Sequence, residues 1–528
     1  MNIFKTCAIL LGVITLSMIS FISLFIAFNL PGLDAKITII AMGIGYTIGL
    51  IYFALPLTRL LWNNANQDTN DGRVNLYRVL FLAVSAMLVY VFVSITVIDY
   101  YQAITIFDEV IIALATTWVL TILFLLLLCV GAQRLSAAAL QKSTALVAVI
   151  LAGIPVMASI EYINSPEPNR QLDYTVDVFK GGEDGYKTYR IPSLLVVPKG
   201  STLANGRTLK SDLMLAIAEA RRDAALDTGV IDLVLKTSID QGQTWSPQQR
   251  ICRHESEGKI GKCGNPTPVF DSVTGKIHLA HNLSGLKEGG PQSKILHTAV
   301  IIVSGDGGET WGERKLIAEN NLIFGPGHGI QKQLLPHAQR LLIPGYIHRK
   351  NATSNDNRAL VIYSDDNGES WQSSSLLDTG DETEIAELQD GRLYLATRQH
   401  AKMGMAPKPN GRLWSVSSDG GTNWQKAQKD LSLKTPVCQS SVLRLDDKGG
   451  LLFANPAHEK TRVNMTINYS KNNGDNWSKQ TQIYSGPSGY SNLGKLSNNK
   501  VAVIYENGTI SYSEKISLSV VKDKILIN

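Results

Sequence analysis

The sequence predicts an all-β six-bladed propeller preceded by an α-helical transmembrane region of about five helices. Three observations carry that expectation: five apolar runs crowd into residues 1–160, one acidic turn motif recurs five times in the remainder, and charge is distributed very unevenly between the two parts. At 528 residues the chain exceeds one ordinary domain, and 45% hydrophobic residues suffice for a core. A formal net charge of +5 is small for this length and gives no case for a nucleic-acid partner. Residues 1–160 are poor in charge, whereas residues 161–528 hold all nine histidines.

The apolar runs lie near 5–28, 36–60, 78–98, 108–130 and 143–160, each about the 20 residues that cross a hydrocarbon layer. Gly153 and Pro155 interrupt the fifth, which makes it the weakest. A cleaved signal peptide explains the first run alone and not the four that follow. Lys5, Arg73, Arg78, Arg134 and Lys142 fall on one side; DYYQ at 99–102 and the pair Asp108-Glu109 fall on the other. With five spans, the positive-inside rule makes this a multi-pass cytoplasmic-membrane protein, N-terminus cytoplasmic and residue 161 onward on the periplasmic or extracellular side. With four, the second part would be cytoplasmic. No charge sits at the centre of a run, so residues 1–160 read as a lipid anchor rather than a transport site. Residues 161–173, including PEPNRQ, read as a linker.

The repeats occupy residues 174–528. They are SIDQGQTW at 238–245, SGDGGETW at 304–311, SDDNGESW at 364–371, SSDGGTNW at 417–424 and SKNNGDNW at 470–477. Their tryptophans stand 66, 60, 53 and 53 residues apart, a period of propellers and arrays. Strand-like LVLKTS, AVIIVS and ALVIYS lead into the first three copies. An Asp-x-Gly centre between strands is hairpin-turn chemistry, with the tryptophan plugging the turn. Calcium binding is the sharper alternative, but each copy has few oxygens and Asn472 replaces the acid in the last. A period near 60 divides the region into about six units, hence six blades.

The copies resemble the Asp-box repeat, Ser-x-Asp-x-Gly-x-Thr-Trp, of the sialidase (neuraminidase) family. Other propeller proteins carry such boxes, so further motifs matter. YRIPSLLVVP at 189–198 is similar to the family's Tyr/Phe-Arg-Ile-Pro signature and makes Arg190 its first site arginine. Arg398, ending YLATRQH, and Arg462, in ANPAHEKTRVNMTINYS, look like the second and third members of a triad. Such a triad suits a substrate carboxylate, because guanidinium forks match carboxylates in plane. In AIAEARRDAALDTGVIDLVLK, the family's Glu-x-Arg implies Arg221 as a site arginine and Asp227 as general acid/base, with Arg222 and Asp223 as competitors. GPSGYSNLGKL is similar to the segment bearing the family's nucleophile, which implies Tyr490. A phenol avoids the repulsion that a carboxylate nucleophile would meet from an acidic sugar. Glu382, sixteen residues before Arg398, would then be the base for that phenol, with Glu384 and Glu387 as fallbacks. Glu506 in VIYENG resembles the glutamate that orients the first arginine.

GNPTPVFDSVTGKIHL at 264–279 and GPGHGIQ at 325–331 extend the resemblance over most of residues 180–515. The departures are Asn472, a long loop at 199–211 and the apolar N-terminal part. The resemblance implies an exo-acting retaining sialidase on terminal sialic acids of glycoproteins, glycolipids or oligosaccharides, without a cofactor or metal. The alternatives are a trans-sialidase, a non-catalytic sialic-acid receptor that would need no Tyr490, Glu382 and Asp227 set, or a transporter with a processing domain. His278 and His281 lie in a strand-like run that points them to opposite faces, with no third metal ligand nearby. Cys252 and Cys263 flank HESEGKIGK and bridge if their compartment is oxidising; otherwise they stay free thiols.

Overall fold

A computed structural model describes residues 171–527, apart from 224, 226, 228, 254, 257, 258, 286–295, 319–320, 348–356, 400–410 and 447. The five apolar runs expected within residues 1–160 lie outside the described residues. Among those described, no helix is long and apolar enough to cross a membrane.

The described fold is all-β except for one short helix, Asp523–Ile527. Its strands form six antiparallel meanders of about four strands each. The first comprises Thr188–Val197, Leu213–Arg221, Ile231–Ser238 and Gln249–Cys252; the second, Lys262–Asp271, Lys276–Gly285, Leu296–Ser304 and Lys315–Ala318. In the third, the broken strand Leu322–Phe324 and Ile330–Gln331 pairs with Leu341–Ile347, followed by Arg358–Ser364 and Gln372–Ser373. The fourth runs Thr383–Glu387, Leu393–Thr397, Arg412–Ser417 and Gln428–Asp430. The long strand Lys479–Leu496 belongs to two meanders. Its first part pairs with Val463–Ser470 and closes the fifth, which opens with Ser441–Arg444 and Leu451–Pro456. Its second part opens the sixth, continued by Lys500–Asn507 and Lys515–Lys522 and completed by Tyr174–Lys180 from the start of the unit.

Sheets covered on both faces lose the apolar–polar alternation of a half-exposed strand. Leu213–Arg221 is accordingly buried at every position. Apolar clusters join successive meanders: Leu215 and Leu235 with Leu279 and Ile302, Ile301 with Ile343, Leu342 with Ile385 and Leu395. Tyr394 meets Phe453, Ile467 meets Val503, and Ile504 with Leu518 packs on Ala216 and Val234, returning the series to its start.

Each of the five boxes joins the third and fourth strands of a meander. Its fourth and fifth residues both take positive φ, from Asn367 at 59° and Gly368 at 86° to Gln241 at 66° and Gly242 at 87°. That is the turn whose twist matches a right-twisted ribbon. The acid is held inside its own turn: Asp240 accepts from Ser238 Oγ at 2.7 Å and from the Thr244 amide at 3.0 Å. Asn472 repeats this with its single oxygen, at 2.9 Å from Ser470 Oγ and 3.2 Å from the Asn476 amide. The box glycine presses on the preceding meander, since a Cβ at Gly368 would lie 2.2 Å from His278 and one at Gly474 2.9 Å from Tyr394. For Gly242 the obstacle is Leu518 of the sixth meander, at 2.2 Å. The sixth meander needs no box, because its fourth strand arrives from elsewhere in the sequence.

The loop at 199–211 docks on the second box, where Arg207 reaches Glu309 Oε1 at 2.6 Å and the Asp306 carbonyl at 2.7 Å. It follows the far end of the strand that begins near Arg190, so it lies away from the candidate site. Cys252 and Cys263 are bridged, and Cys438 is a buried free thiol. His278 and His281 are both buried, and no group of metal-ligating side chains occurs among the described residues.

Candidate active site

The residues singled out in the sequence gather where the innermost strands begin. Antiparallel pairing alone would alternate their side chains between faces, and irregularities re-aim them. Register shifts fall between Arg190 and Ser193, Gly264 and Thr267, Val463 and Met465, and Ser488 and Ser491. Ile191 sits at φ 56°, a region costly for a β-branched residue. Its amide is thereby brought 2.8 Å from Glu506 Oε1.

Glu506 is fully buried and accepts four N–H groups. Arg190 donates Nε at 3.0 Å and Nη2 at 3.1 Å, and the backbone amides of Ile191 and Tyr490 donate at 2.8 and 3.0 Å. One carboxylate thus fixes the Arg190 fork and the backbone of Tyr490 together. Arg398 is held similarly, through Nε and Nη2 on Asp381 at 3.0 and 3.1 Å. Its Nη1 reaches Glu382 Oε2 at 2.8 Å and the Tyr490 hydroxyl at 3.3 Å. Arg462 donates to the Val437 carbonyl at 2.8 Å, and no described carboxylate pairs with it. The Arg190 and Arg462 guanidinium carbons each lie 5.4 Å from the Tyr490 ring and 5.1 Å from the Tyr512 ring. Three guanidinium groups therefore border one tyrosine, a strong field for an anion.

The Tyr490 hydroxyl donates a short hydrogen bond to Glu382 Oε1. Burial raises the Glu382 carboxyl above the usual range, against the opposing pull of Arg398, and Asp381 adds to the rise. Burial and the neighbouring Glu382 also raise the Tyr490 phenol well above its ordinary value, while Arg398 and Arg462 oppose them. The pair is desolvated and shares one proton across a short contact. Such an arrangement can move that proton from phenol to carboxylate once an electrophile approaches the oxygen.

Arg221, at the end of its strand, is buried and donates Nη2 to Glu219 Oε2 at 2.7 Å and to Asp227 Oδ1 at 2.8 Å. Asp227 lies on the loop beyond, with its side chain 74% exposed and 3.8 Å from Arg190 Nη1. Local desolvation works to raise its carboxyl, but Arg221, then Arg190 and Lys262, outweigh that and hold it below the usual range. Of its competitors, Arg222 leans toward Asp232 at 3.9 Å, and Asp223 is exposed, as Asp227 is. The fallback glutamates lie apart from the phenol. Glu384 is buried below Glu382, and Glu387 pairs with Lys332 at 2.8 Å.

Several contributors escaped the sequence reading. Asp381 stands directly before Glu382, and Glu219 is the acid of the Glu-x-Arg pattern. Lys262 Nζ lies 3.4 Å from Glu219 Oε1, one residue before the bridged Cys263. Tyr346, on Leu341–Ile347, has its phenol raised far above the ordinary value by desolvation first and then by the charges of Glu382 and Asp381. Tyr512 carried no signal beyond its position soon after VIYENG.

A family profile described as a BNR repeat-like domain matches residues 211–519. The chain is 29% identical over 402 residues to a sialidase of Micromonospora viridifaciens, covering 71% of this chain and 58% of that one. It is 27% identical over 420 residues to mouse Sialidase-3, covering 66% of this chain and 94% of that one. It spans only 58% of the bacterial relative's length. Among solved structures, a Hadza microbial sialidase is similar with a TM-score of 0.56 at 24% identity, covering 66% of this chain and 69% of the other. A leech intramolecular trans-sialidase gives 0.53 at 18% identity, covering 67% and 71%. At these identities the structural likenesses speak to fold.

Proposed function

The chain belongs to the family of BNR repeat-like domains, and from that premise we propose that it is an exo-acting sialidase releasing terminal sialic acids with retention of configuration. The six meanders are then the blades of a six-bladed propeller, with the site at the mouth of its central channel. The observation that carries this reading is the Tyr490–Glu382 hydrogen bond inside a ring of three arginines, one of them without a carboxylate partner among the described residues.

On this reading Arg190, Arg398 and Arg462 bind the carboxylate beside the anomeric carbon. The Tyr490 oxygen attacks that carbon as Glu382 takes the phenolic proton. The glycosidic bond breaks, and its oxygen leaves with a proton from Asp227. Asp227 then takes a proton from water, which displaces the tyrosyl oxygen while Glu382 returns the proton to Tyr490. Asp227 must carry a proton at the first step, although its arginines favour the anion. A substrate carboxylate seated against Arg190 offsets part of that positive field and shifts Asp227 toward the acid. The substrates are sialylated glycoconjugates. Residues 1–160 tether the enzyme in lipid, with the catalytic part on the non-cytoplasmic side.

The test is covalent trapping with a mechanism-based fluorosialoside, followed by peptide mapping. The label is expected on the peptide containing Tyr490, and a label on any other residue refutes the assignment. Asp227→Ala should retain far more activity on an aryl sialoside with a good leaving group than on a natural glycoside. Tyr490→Phe should be poor on both.

A further inference from the structure

Beneath the Tyr490–Glu382 contact lies a second one built the same way. Asn492 follows Tyr490 by two positions, Glu384 follows Glu382 by two, and Asn492 Nδ2 lies 2.9 Å from Glu384 Oε1. The two contacts bridge the same pair of segments, and each spans 108 residues of sequence. They are successive rungs of one ladder, the lower one wholly inside the protein.

The lower rung also gathers the segments that carry the other site groups. Asn492 Oδ1 accepts the Leu194 amide at 2.7 Å, from the strand bearing Arg190. Its Nδ2 is 2.9 Å from His328 Nδ1 and 3.2 Å from Ser441 Oγ. Glu384 Oε1 accepts the His328 amide at 2.9 Å, and Ser193 Oγ donates to the Gly327 carbonyl at 2.6 Å. GPGHGIQ, which the proposed reaction leaves without a role, is the seat of this cluster. A Cβ at Gly327 would fall 1.3 Å from Glu384 Oε1, on a residue whose φ is 144°. Only glycine lets the backbone close over the carboxyl group.

No described cation bonds Glu384. Its Oε2 has no hydrogen-bond partner among the described residues and stands 3.4 Å from His328 Nδ1, on a ring that burial keeps neutral. Arg412, the guanidinium that acts on it electrostatically, is beyond ion-pair distance and donates instead to the Cys438 carbonyl at 2.9 Å. An anion here would be unpaired in a dry interior. It would also oppose the negative charge that Glu382 needs in order to accept the phenolic proton.

We propose that Glu384 is a neutral carboxylic acid which, with Asn492 and His328, forms a positioning centre holding Tyr490 and Glu382 in register. This rests on the sialidase reading above. Glu384 touches no reacting atom; it acts through the rung above it.

The test compares Glu384→Gln with Glu384→Ala in the full chain on a fluorogenic sialoside. The amide keeps the oxygen that accepts from Asn492 Nδ2 and the His328 backbone amide and adds no charge, so kcat should stay within about threefold of the parent. Alanine removes the rung, and kcat should fall about tenfold or more while KM stays within about twofold. A glutamine variant as impaired as the alanine variant overturns the assignment, as does an alanine variant with the parent's kcat. If the alanine variant does not fold, infrared difference spectra of parent against Glu384→Gln at neutral pH decide alone. Loss of a protonated-carboxyl band supports the proposal, and loss of carboxylate bands overturns it. A parent chain without turnover refutes the sialidase reading instead, and the infrared result still reports the state of Glu384.

Discussion

Replacing Glu506 by glutamine removes one charge and almost no volume, so it tests how much the site leans on that carboxylate. Glu506 accepts four N–H groups: Arg190 Nε and the Ile191 amide on Oε1, Arg190 Nη2 and the Tyr490 amide on Oε2. A glutamine in the same place offers one oxygen and one NH2. Whichever way it turns, two donors face a donor. Hydrogen bonds to a charged group contribute about 1.5–3 kcal/mol each, so two lost bonds amount to about 3–6 kcal/mol. Counted instead as one partner removed from a buried ion pair, the cost is about 3–5 kcal/mol. The routes agree, and against a total stability of about 5–15 kcal/mol the loss takes a large part of the margin. Because the same carboxylate seats Arg190 and the Tyr490 backbone, kcat/KM should fall about a hundredfold or more. Urea unfolding followed by tryptophan fluorescence gives the first number, and turnover of a fluorogenic sialoside the second. A loss of stability below about 1 kcal/mol would refute the reasoning, since four bonds on a buried anion would then count for almost nothing.

Two further outcomes are expected. His278 is buried against the third box and burial pushes its imidazole down to about 4, so the unfolded chain, titrating near its ordinary value of about 6.5, takes up this proton first as pH falls. Between pH 7 and 5 this side chain should cost the native state about 2 kcal/mol, and His278→Leu should gain that amount on the parent over the same interval; equal pH dependence of unfolding for the two proteins would contradict it. A phosphatase fused after residue 165 should be active if residues 1–160 span five times, whereas a fluorescent protein that lights up there on the cytoplasmic side would exclude that topology.

The boxes were legible in the sequence because their chemistry is local: serine, acid, glycine and tryptophan complete one turn within eight residues. Asn472 shows the limit of such reading. The departure from the pattern is visible, but not that a single amide oxygen serves the turn as well as a carboxylate does. The count of five boxes for six meanders was likewise visible and unexplained, because the strand Tyr174–Lys180 meets Lys515–Lys522 only in three dimensions. Arg190, Arg398, Arg462 and Tyr490 stood out through the residues around them. Lys262 did not, since its role comes from strands that bring it to Glu219. Nor does any local signal announce the bulge beside Arg190, which depends on Glu506, 316 residues away.

The sheet that carries Tyr490 and Glu506 is closed by a strand made at the opposite end of synthesis. Thr175 Oγ1 meets Ser519 Oγ at 2.8 Å across 344 residues of chain. At about 5–20 residues per second, a ribosome needs roughly 20–70 s to deliver that partner. For all that time the early strand has an unpaired edge, and earlier meanders can assemble while Tyr490 is still untranslated. The nascent chain therefore lacks the complete cluster of Arg190, Tyr490 and Glu506 for nearly all of its own production. The sheet beneath the candidate site closes late, when the last strand slots between its neighbour and the first.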